Sequence, residues 1–394
     1  MEKRGRLILG KGEDRRIRAG HQWVFSNEVA RLEPAGDESP LFTDVFASSG
    51  RKLGSAIYNP HTLLAARLLE DGDWKVFESY LDRKIKTAIE LVCRKITGND
   101  NARRLIHSEG DGLPGLVVDR FDDWLSIQIT TLAMEKYRDA ILAILEREIR
   151  PKGIKVDNRL YARRTEGLES DNDLLLGDVP ESLRVMIAGK AISFPFRDGQ
   201  KTGLFLDQSE NIRQLAPLFS GKRVLDAFCY VGNWSVAALA SGASSVSGID
   251  VSEEALGYFL RNVSNSAPSA QGESIHANFM EWSQKARQDG VRFDVVVLDP
   301  PAFIKNRKKK EEGLRGYFSA NEMGLSLVSP GGIFVTCSCS GLLTWEDFFG
   351  ILRDVFRRSG RIPKLIYQGR ASMDHPRPMS MPELDYLKCL AFIA

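Results

Sequence analysis

The run at residues 222–242, KRVLDAFCYVGNWSVAALASG, constrains the fold most. Val224 and Leu225 end a short apolar stretch, and Asp226 follows. Next comes an eight-residue segment that contains Gly232. From Val236 the apolar residues continue at helical spacing. The pattern is strand, tight turn, helix, with a carboxylate at the C-terminal end of the strand. Further strand-like runs follow at 246–249, 293–298, 333–336 and 387–392, and residues 276–282 supply another strand end. Strands alternating with helical stretches predict an α/β sheet, and ligands of such sheets bind beyond the strand ends.

The strand ends narrow the ligand. Asp250 ends the second strand, 24 residues after Asp226. A strand-end acid at that spacing suits a ribose, because a carboxylate accepts from both vicinal hydroxyls. The turn offers Gly232 and Gly242 and no GxGxxG pattern, which disfavours a pyrophosphate. S-adenosylmethionine has a ribose and a sulfonium and no pyrophosphate, so it fits better. Asn278 and Phe279 offer an amide and a ring for an adenine, or else a surface Asn and a core Phe. Between Gly199 and Gly203, the polar Gln200, Lys201 and Thr202 suit a loop over a ligand, followed by Asp207.

Two later strand ends carry chemistry. Phe293–Leu298 runs into DPPAF, where Pro300 and Pro301 stiffen the backbone beyond Asp299. A rigid extended loop there is a wall for a flat substrate. Between Lys305 and Arg315 stand six basic residues and two acids, either a solvent-facing loop or a phosphate contact. The strand at 333–336 runs into Cys337-Ser338-Cys339-Ser340-Gly341. A CxC pair without a second pair nearby is a poor metal signal, so structural thiols or a nucleophilic thiolate are the better readings.

Upstream, short strand-like runs at 6–9, 53–58 and 63–69 around an Asn59-Pro60 turn predict a small barrel-like β domain. Residues 1–31 hold eight Lys or Arg against four Asp or Glu. Arg15, Arg16 and Arg18, beside Trp23, suit either a solvated surface or a phosphate backbone. Residues 76–96 have helical spacing and stop at Gly98-Asn99-Asp100. Strands at 104–106, 115–120, 124–129 and from 154, with a helix at 136–148, predict a compact α+β segment. Residues 185–196 are strand-rich. Five cysteines in 394 residues are too few and odd in number for a disulfide framework. The N-terminus lacks an apolar leader, and no run reaches 18 apolar residues, so the expectation is a soluble cytoplasmic protein without membrane association.

Together these motifs resemble one family: the bacterial and archaeal ribosomal RNA large-subunit methyltransferases that make 5-methylcytosine and carry an N-terminal PUA domain. The residues that carry the resemblance span nearly the whole chain. They are KGEDRRIRAGHQWVFSNEV near the N-terminus, PGLVVDR at 114–120, EGL at 166–168, GQKTGLFLDQ at 199–208 and LDAFCYVGNWSVAALASGA. LDPPAF at 298–303, RGY at 315–317, SCSG at 338–341 and DHP at 374–376 complete the set.

The resemblance implies a PUA domain at 1–72, a central α+β (EEHEE) domain at 73–182 and a Rossmann-like class I methyltransferase domain at 183–394. It implies S-adenosylmethionine contacts from Lys201, Asp207, Asp226, Phe228, Tyr230, Gly232, Asp250, Asn278, Phe279 and Asp299. Large-subunit ribosomal RNA is the implied partner, with room for a homodimer. RNA contacts are expected from Arg15, Arg16, Arg18 and Trp23, and from Lys305, Arg307, Lys308, Lys309 and Arg315. The chain departs from the family pattern with Asn278 where Asp is commoner and Ser209 where Arg is commoner. The nucleophile implied by SCS is Cys339; a TCS register, Thr336-Cys337-Ser338, competes for it.

The implied chemistry starts with a poor nucleophile, cytosine C5. A thiolate adding to C6 pushes electron density to C5, which then attacks the sulfonium methyl. Asp299 pairs with N3 when protonated, or holds the exocyclic amine. No second cysteine stands in the DPPAF loop, so water or Asp299 are the candidates for removing the C5 proton. The base must be unstacked into the pocket. Two rivals stay open. One is methylation of a base amino group, for which Ala302 sits where a stacking aromatic should be. The other is a non-catalytic RNA-binding or ribosome-assembly protein.

Overall fold

The computed structural model describes residues 4–34, 41–70, 76–95, 100–170, 173–199, 201–266, 271–304 and 306–394. The expected domain border at 72/73, the helix stop at Gly98-Asn99, and the loop residues Gln200 and Lys305 lie outside the described residues.

The N-terminal unit is a six-stranded mixed sheet. Its spatial order is Trp23–Val24, Ala66–Leu68, Lys52–Tyr58, Phe42–Phe46, Arg4–Leu9, Val29–Glu33. Arg4–Leu9 runs parallel to Phe42–Phe46 and antiparallel to Val29–Glu33. Leu7, Leu9, Val24, Val45 and Ala56 fill its interior. The run expected at 63–69 contributes only Ala66–Leu68 to the sheet.

The central unit is a five-stranded sheet in the order Leu174–Gly177, Gly153–Val156, Trp124–Ile129, Leu116–Phe121, Ala102–His107. Helices Leu132–Lys136 and Arg138–Ile149 carry the chain from Trp124–Ile129 to the parallel strand Gly153–Val156. The EEHEE order is therefore present, with Ala102–His107 added at one edge. The single helix expected at 136–148 is divided at Tyr137, whose ring packs on Phe77 at 4.9 Å. Helix Phe77–Lys95 buries Leu81, Ile85 and Ala88 in the same core as Phe42 and Ile57 of the first sheet. Those two units thus share apolar packing rather than meeting only at a linker.

A hairpin of Ser182–Ile187 and Lys190–Pro195 follows. Ala188 and Gly189 both have positive φ, 50° and 73°, the geometry that suits a two-residue hairpin turn. The Asp100 carboxylate accepts from both of their backbone N–H groups.

The last unit is a seven-stranded sheet. Its strands are β1 (Arg223–Ala227), β2 (Ser245–Asp250), β3 (Gln271–His276), β4 (Phe293–Leu298), β5 (Val328–Ser338), β6 (Lys364–Gly369) and β7 (Lys388–Ile393). Their order is β3-β2-β1-β4-β5-β7-β6, and β7 is antiparallel to both neighbours. Strand β4 is buried along nearly its whole length, as its five apolar residues require, and its one polar residue, Asp294, is only partly buried. Apolar clusters cover both faces. The chain leaves β1 toward β2 on one side and places β4 on the other. That change of direction opens a crevice beyond β1 and β4, where ligands of such sheets bind. The basic stretch read as a loop differs: Lys310–Ser326 is a helix, which buries Gly313, Tyr317, Ala320 and Gly324 on one face. Among the described residues, no helix is long and apolar enough to cross a membrane.

Candidate active site

The site is built from the C-terminal ends of β1, β2, β4 and β5. After β1 the backbone turns sharply. Phe228 and Tyr230 have φ of 64° and 50°, and Gly232 has φ of 90°. Non-glycine residues in that region carry strain, which clusters at functional sites. The turn is pinned to β2, because Phe228 N and Cys229 N both donate to the Ile249 carbonyl, at 2.9 and 3.1 Å. Asp250 completes it: its Oδ2 accepts from Tyr230 N and its Oδ1 from Ser252 N, each at 3.0 Å. Its carboxylate is thereby fixed at the strand end, and the residue stays partly exposed.

Asp226 lies beneath this turn and is fully buried. Its Oδ2 accepts from Ser235 N and Oγ at 3.1 and 2.7 Å, while its Oδ1 has no partner. Burial pushes the Asp226 carboxyl up to about 7; Asp299 and Asp250 add to the rise and Ser235 opposes it. Asn278 is exposed and caps helix Phe279–Gln288, accepting from Met280 N. Phe279 is buried, with its ring 5.3 Å from that of Phe228.

Asp299 stands beyond β4. Its Oδ2 accepts from Gln208 Nε2 at 2.9 Å and from Trp234 Nε1 at 3.3 Å. Burial raises its carboxyl to about 6, with Asp207 adding to the rise and Trp234, Gln208 and Lys201 working against it. Beyond β5, Cys339 Sγ lies 3.8 Å from the Pro300 carbonyl oxygen. The DPPAF and SCSG motifs therefore meet. Burial pushes the Cys339 thiol up to about 11; Lys201 pulls it down, while Asp299 and Asp207 push it further up.

Cys337 is placed differently. It lies inside β5 opposite Cys389, has 0% exposure and belongs to the apolar core. Cys229 is also buried. Among the described residues, no group of three or more His, Cys, Asp or Glu could hold a metal ion.

The segment from Lys201 to Gln208 meets these strand ends, with Tyr230 OH donating to the Gly203 carbonyl and Gln208 Nε2 to Asp299 Oδ2. Lys201 is exposed, has φ of 51°, and sets its ammonium 4.4 Å from the centre of the Phe205 ring. Asp207 is buried, and its Oδ2 accepts from Tyr386 OH at 2.8 Å. The RGY motif also acts here. Tyr317 packs on Phe303 at 4.8 Å and exchanges a 2.8 Å hydrogen bond with Ser340 Oγ, bracing the DPPAF and SCSG loops together.

Several contributors are not singled out as site residues by the sequence, although all but Lys388 stand within its motifs. Gln208 and Trp234 hold Asp299. Lys388 is buried and donates to the carbonyls of Ser340, Asp385 and Tyr386. Asp374 and His375, the DHP motif, join the central unit to the site. Asp374 accepts from Arg104 N, and the His375 ring lies 4.9 Å from that of His107. The motif itself is the only sequence signal for these two, because their partners lie far along the chain.

The expected RNA-contacting residues divide into two groups. Arg15, Arg18, Arg307, Lys308, Lys309 and Arg315 are exposed. Arg16 and Trp23 are engaged internally. Arg16 pairs with Glu28 at 2.6 Å and lies over the Phe25 ring, and Trp23 Nε1 donates to Glu109 at 2.9 Å.

A PUA-like domain family matches residues 7–71, and a family of S-adenosylmethionine-dependent methyltransferases matches residues 103–360. Ribosomal RNA large subunit methyltransferase I of Erwinia tasmaniensis is 34% identical over 394 residues, covering 98% of each chain. Its counterpart from Klebsiella pneumoniae is 32% identical over 391 residues, covering 98% of this chain and 97% of that one. A solved S-adenosylmethionine-dependent methyltransferase from Streptococcus mutans shares the fold, with a TM-score of 0.84 at 18% identity, covering 99% of this chain and 100% of that one.

Proposed function

The chain belongs to the ribosomal RNA large subunit methyltransferase I family of S-adenosylmethionine-dependent methyltransferases, and on that premise we propose that it methylates cytosine C5 in large-subunit ribosomal RNA through a covalent Cys339 adduct. The observation that carries the residue assignment is the meeting of Cys339 with the Asp299-Pro300 loop, while Cys337 is sealed in the core. A nucleophile must reach its substrate, and of these two thiols only that of Cys339 is partly open.

The strand-end pocket suits S-adenosylmethionine, which supplies an electrophilic methyl group. The fixed Asp250 carboxylate would hold the ribose. Phe228 and Asn278 would frame the adenine, with the buried Phe279 packed behind Phe228. The strained turn through Tyr230 and Gly232 lets the backbone approach the ligand closely, and the unpartnered Asp226 Oδ1 leaves an acceptor beneath it.

Asp299, raised to about 6, can hold a proton toward N3 of the cytosine at about pH 6 and below. Lys201 is the cation that favours the Cys339 thiolate. Ala302 stands where the amino-group reading needs a stacking aromatic, and Phe303, one position later, packs against Tyr317. We assign residues 1–72, 73–182 and 183–394 to three domains, supported by the three larger sheets. The expected setting is the cytoplasm, and a homodimer would be read from light scattering. The deciding experiment is mass spectrometry of ribosomal RNA nucleosides with and without the gene, complemented by wild type, Cys339→Ala or Cys337→Ala. Restoration of 5-methylcytosine by Cys339→Ala would sink the assignment.

A further inference from the structure

We propose that Lys388 is a positioning residue for the reaction: its buried ammonium fixes the turn that carries Cys339 against the segment that supports Asp299. This rests on the reading of Cys339 as nucleophile.

Lys388 is 1% exposed, and it is followed in β7 by Cys389, Leu390, Ala391 and Phe392, all buried. An apolar side chain would suit that position, whereas burying an ammonium is costly. The ammonium is met by backbone carbonyls. Its Nζ donates to the carbonyl of Asp385 at 2.9 Å, of Tyr386 at 3.1 Å and of Ser340 at 3.4 Å. An ammonium has three N–H donors, so these bonds use them all. The bonds to Asp385 and Tyr386 are local and fix the turn that enters β7. The bond to Ser340 spans 48 positions and reaches the turn that leaves β5.

Each of these turns supports one side of the site. Ser340 follows Cys339, whose sulfur lies 3.8 Å from the Pro300 carbonyl oxygen. Tyr386 OH holds Asp207 at 2.8 Å, and the next residue, Gln208, holds Asp299 at 2.9 Å. Strand pairing sets Lys388 opposite Ser338, so the ammonium is anchored where both turns meet the sheet. The junction is close: a Cβ on Gly341 would lie 3.3 Å from the Glu383 carbonyl oxygen and 3.7 Å from Tyr386 Cβ.

Ser340 has other supports, and they point elsewhere. Its carbonyl also accepts from Leu343 N at 3.1 Å, within the same turn. Its Oγ bonds Tyr317 OH and accepts from Ile304 N, toward the DPPAF side. Among the described residues, the Lys388 bond is the hydrogen bond that joins Ser340 to the segment bearing Tyr386. Burial pushes the Lys388 ammonium down to about 8, with Asp385 and Cys339 pushing it back up, so it is mostly charged at pH 7.

The separation of the two sides matters because one base must meet both. The sulfur adds at C6 while the Asp299 carboxyl faces N3 or the exocyclic amine. A small misplacement of such groups costs rate far more than binding. Lys388 acts on that separation through Ser340 and Tyr386.

The test is single-turnover methylation of ribosomal RNA from cells lacking the gene, by wild type, Lys388→Met and Lys388→Arg. In Lys388→Met the rate constant at saturating cofactor should fall about 10–10²-fold. Its cofactor affinity by calorimetry and its half-saturating RNA concentration should stay at the wild-type values. Lys388→Arg keeps the charge and the donors and should recover part of the rate. An unchanged rate constant in Lys388→Met would overturn the proposal. So would a loss of cofactor affinity and thermal stability in step with the rate, which would make Lys388 a support of the fold alone. Should Lys388→Met fail to fold, Lys388→Gln retains an amide donor without the charge and should show the same split between rate and affinity; a wild-type rate there would overturn the proposal. Cys339→Ala run alongside separates the two readings, because methylation by that variant at the wild-type rate would sink the nucleophile reading itself.

Discussion

Gln208 Nε2 donates a 2.9 Å hydrogen bond to Asp299 Oδ2, tying the loop after Gly203 to the end of β4. The bond favours the ionised carboxyl and helps keep Asp299 from rising further. Gln208→Leu should therefore move the Asp299 titration upward and loosen its aim. A fall in kcat/KM of about tenfold, equivalent to about 1.4 kcal/mol, is expected. An unchanged pH profile of kcat/KM would show that this bond does not tune Asp299.

The two thiols of the CSCSG motif should separate cleanly in reactivity. Cys339, pushed up to about 11, should alkylate about tenfold faster per pH unit between about pH 7 and 10, following its thiolate fraction. Lys201→Met removes the cation that lowers the thiol, so alkylation at a fixed pH should slow. Cys337→Ala should leave that reaction intact and lower stability by about 1–3 kcal/mol through lost core packing. Peptide mapping of iodoacetamide adducts checks both; labelling at Cys337 in the folded protein would contradict its burial.

Much of the catalytic sheet is legible in the sequence because each strand is a short apolar run ending in a chemically distinctive residue. Phe293–Leu298 is readable as a central strand because five of its six residues are apolar and occupy both faces. Val29–Glu33 is not, because VARLE is an edge strand with little burial and no clean alternation. Helix Trp345–Ser359 is encoded locally by a capping box of Thr344 and Asp347 and by Phe348, Leu352, Val355 and Phe356 on one face, with no chemistry-bearing residue to mark it. The basic stretch misleads because its charges fill a short turn and the start of a helix whose buried face begins only at Gly313. What the sequence does not supply is pairing across distance. Tyr386 and Asp207 are 179 positions apart, and Gln208 and Asp299 are 91 apart.

Gly232 is required by two independent features of the turn after β1. Its φ is 90°, and a Cβ there would lie 2.7 Å from the Phe259 ring. Gly232→Ala should cost about 1–3 kcal/mol of stability through backbone strain, and it should weaken S-adenosylmethionine binding by displacing the turn. Calorimetry on the folded variant checks this; wild-type affinity would show that the turn does not frame the ligand.

His107 gives the protein a defined acid sensitivity. Burial holds its imidazole well below the ordinary value, with His375 and Arg104 acting in the same direction and Asp374 against them. The folded chain therefore keeps His107 neutral while the unfolded chain protonates it below about pH 6.5. The unfolded state binds the extra proton, so this residue's contribution to stability falls as pH drops through that range. Asp111, raised to about 6, works in the opposite direction, so the wild-type curve alone does not isolate the effect. The difference between wild type and His107→Gln does. Relative to the variant, wild type should lose up to about 1.4 kcal/mol per pH unit between about pH 6 and 5. Urea midpoints measured across that range decide the matter, and parallel curves for the two proteins would mean that His107 titrates alike in the folded and unfolded chains.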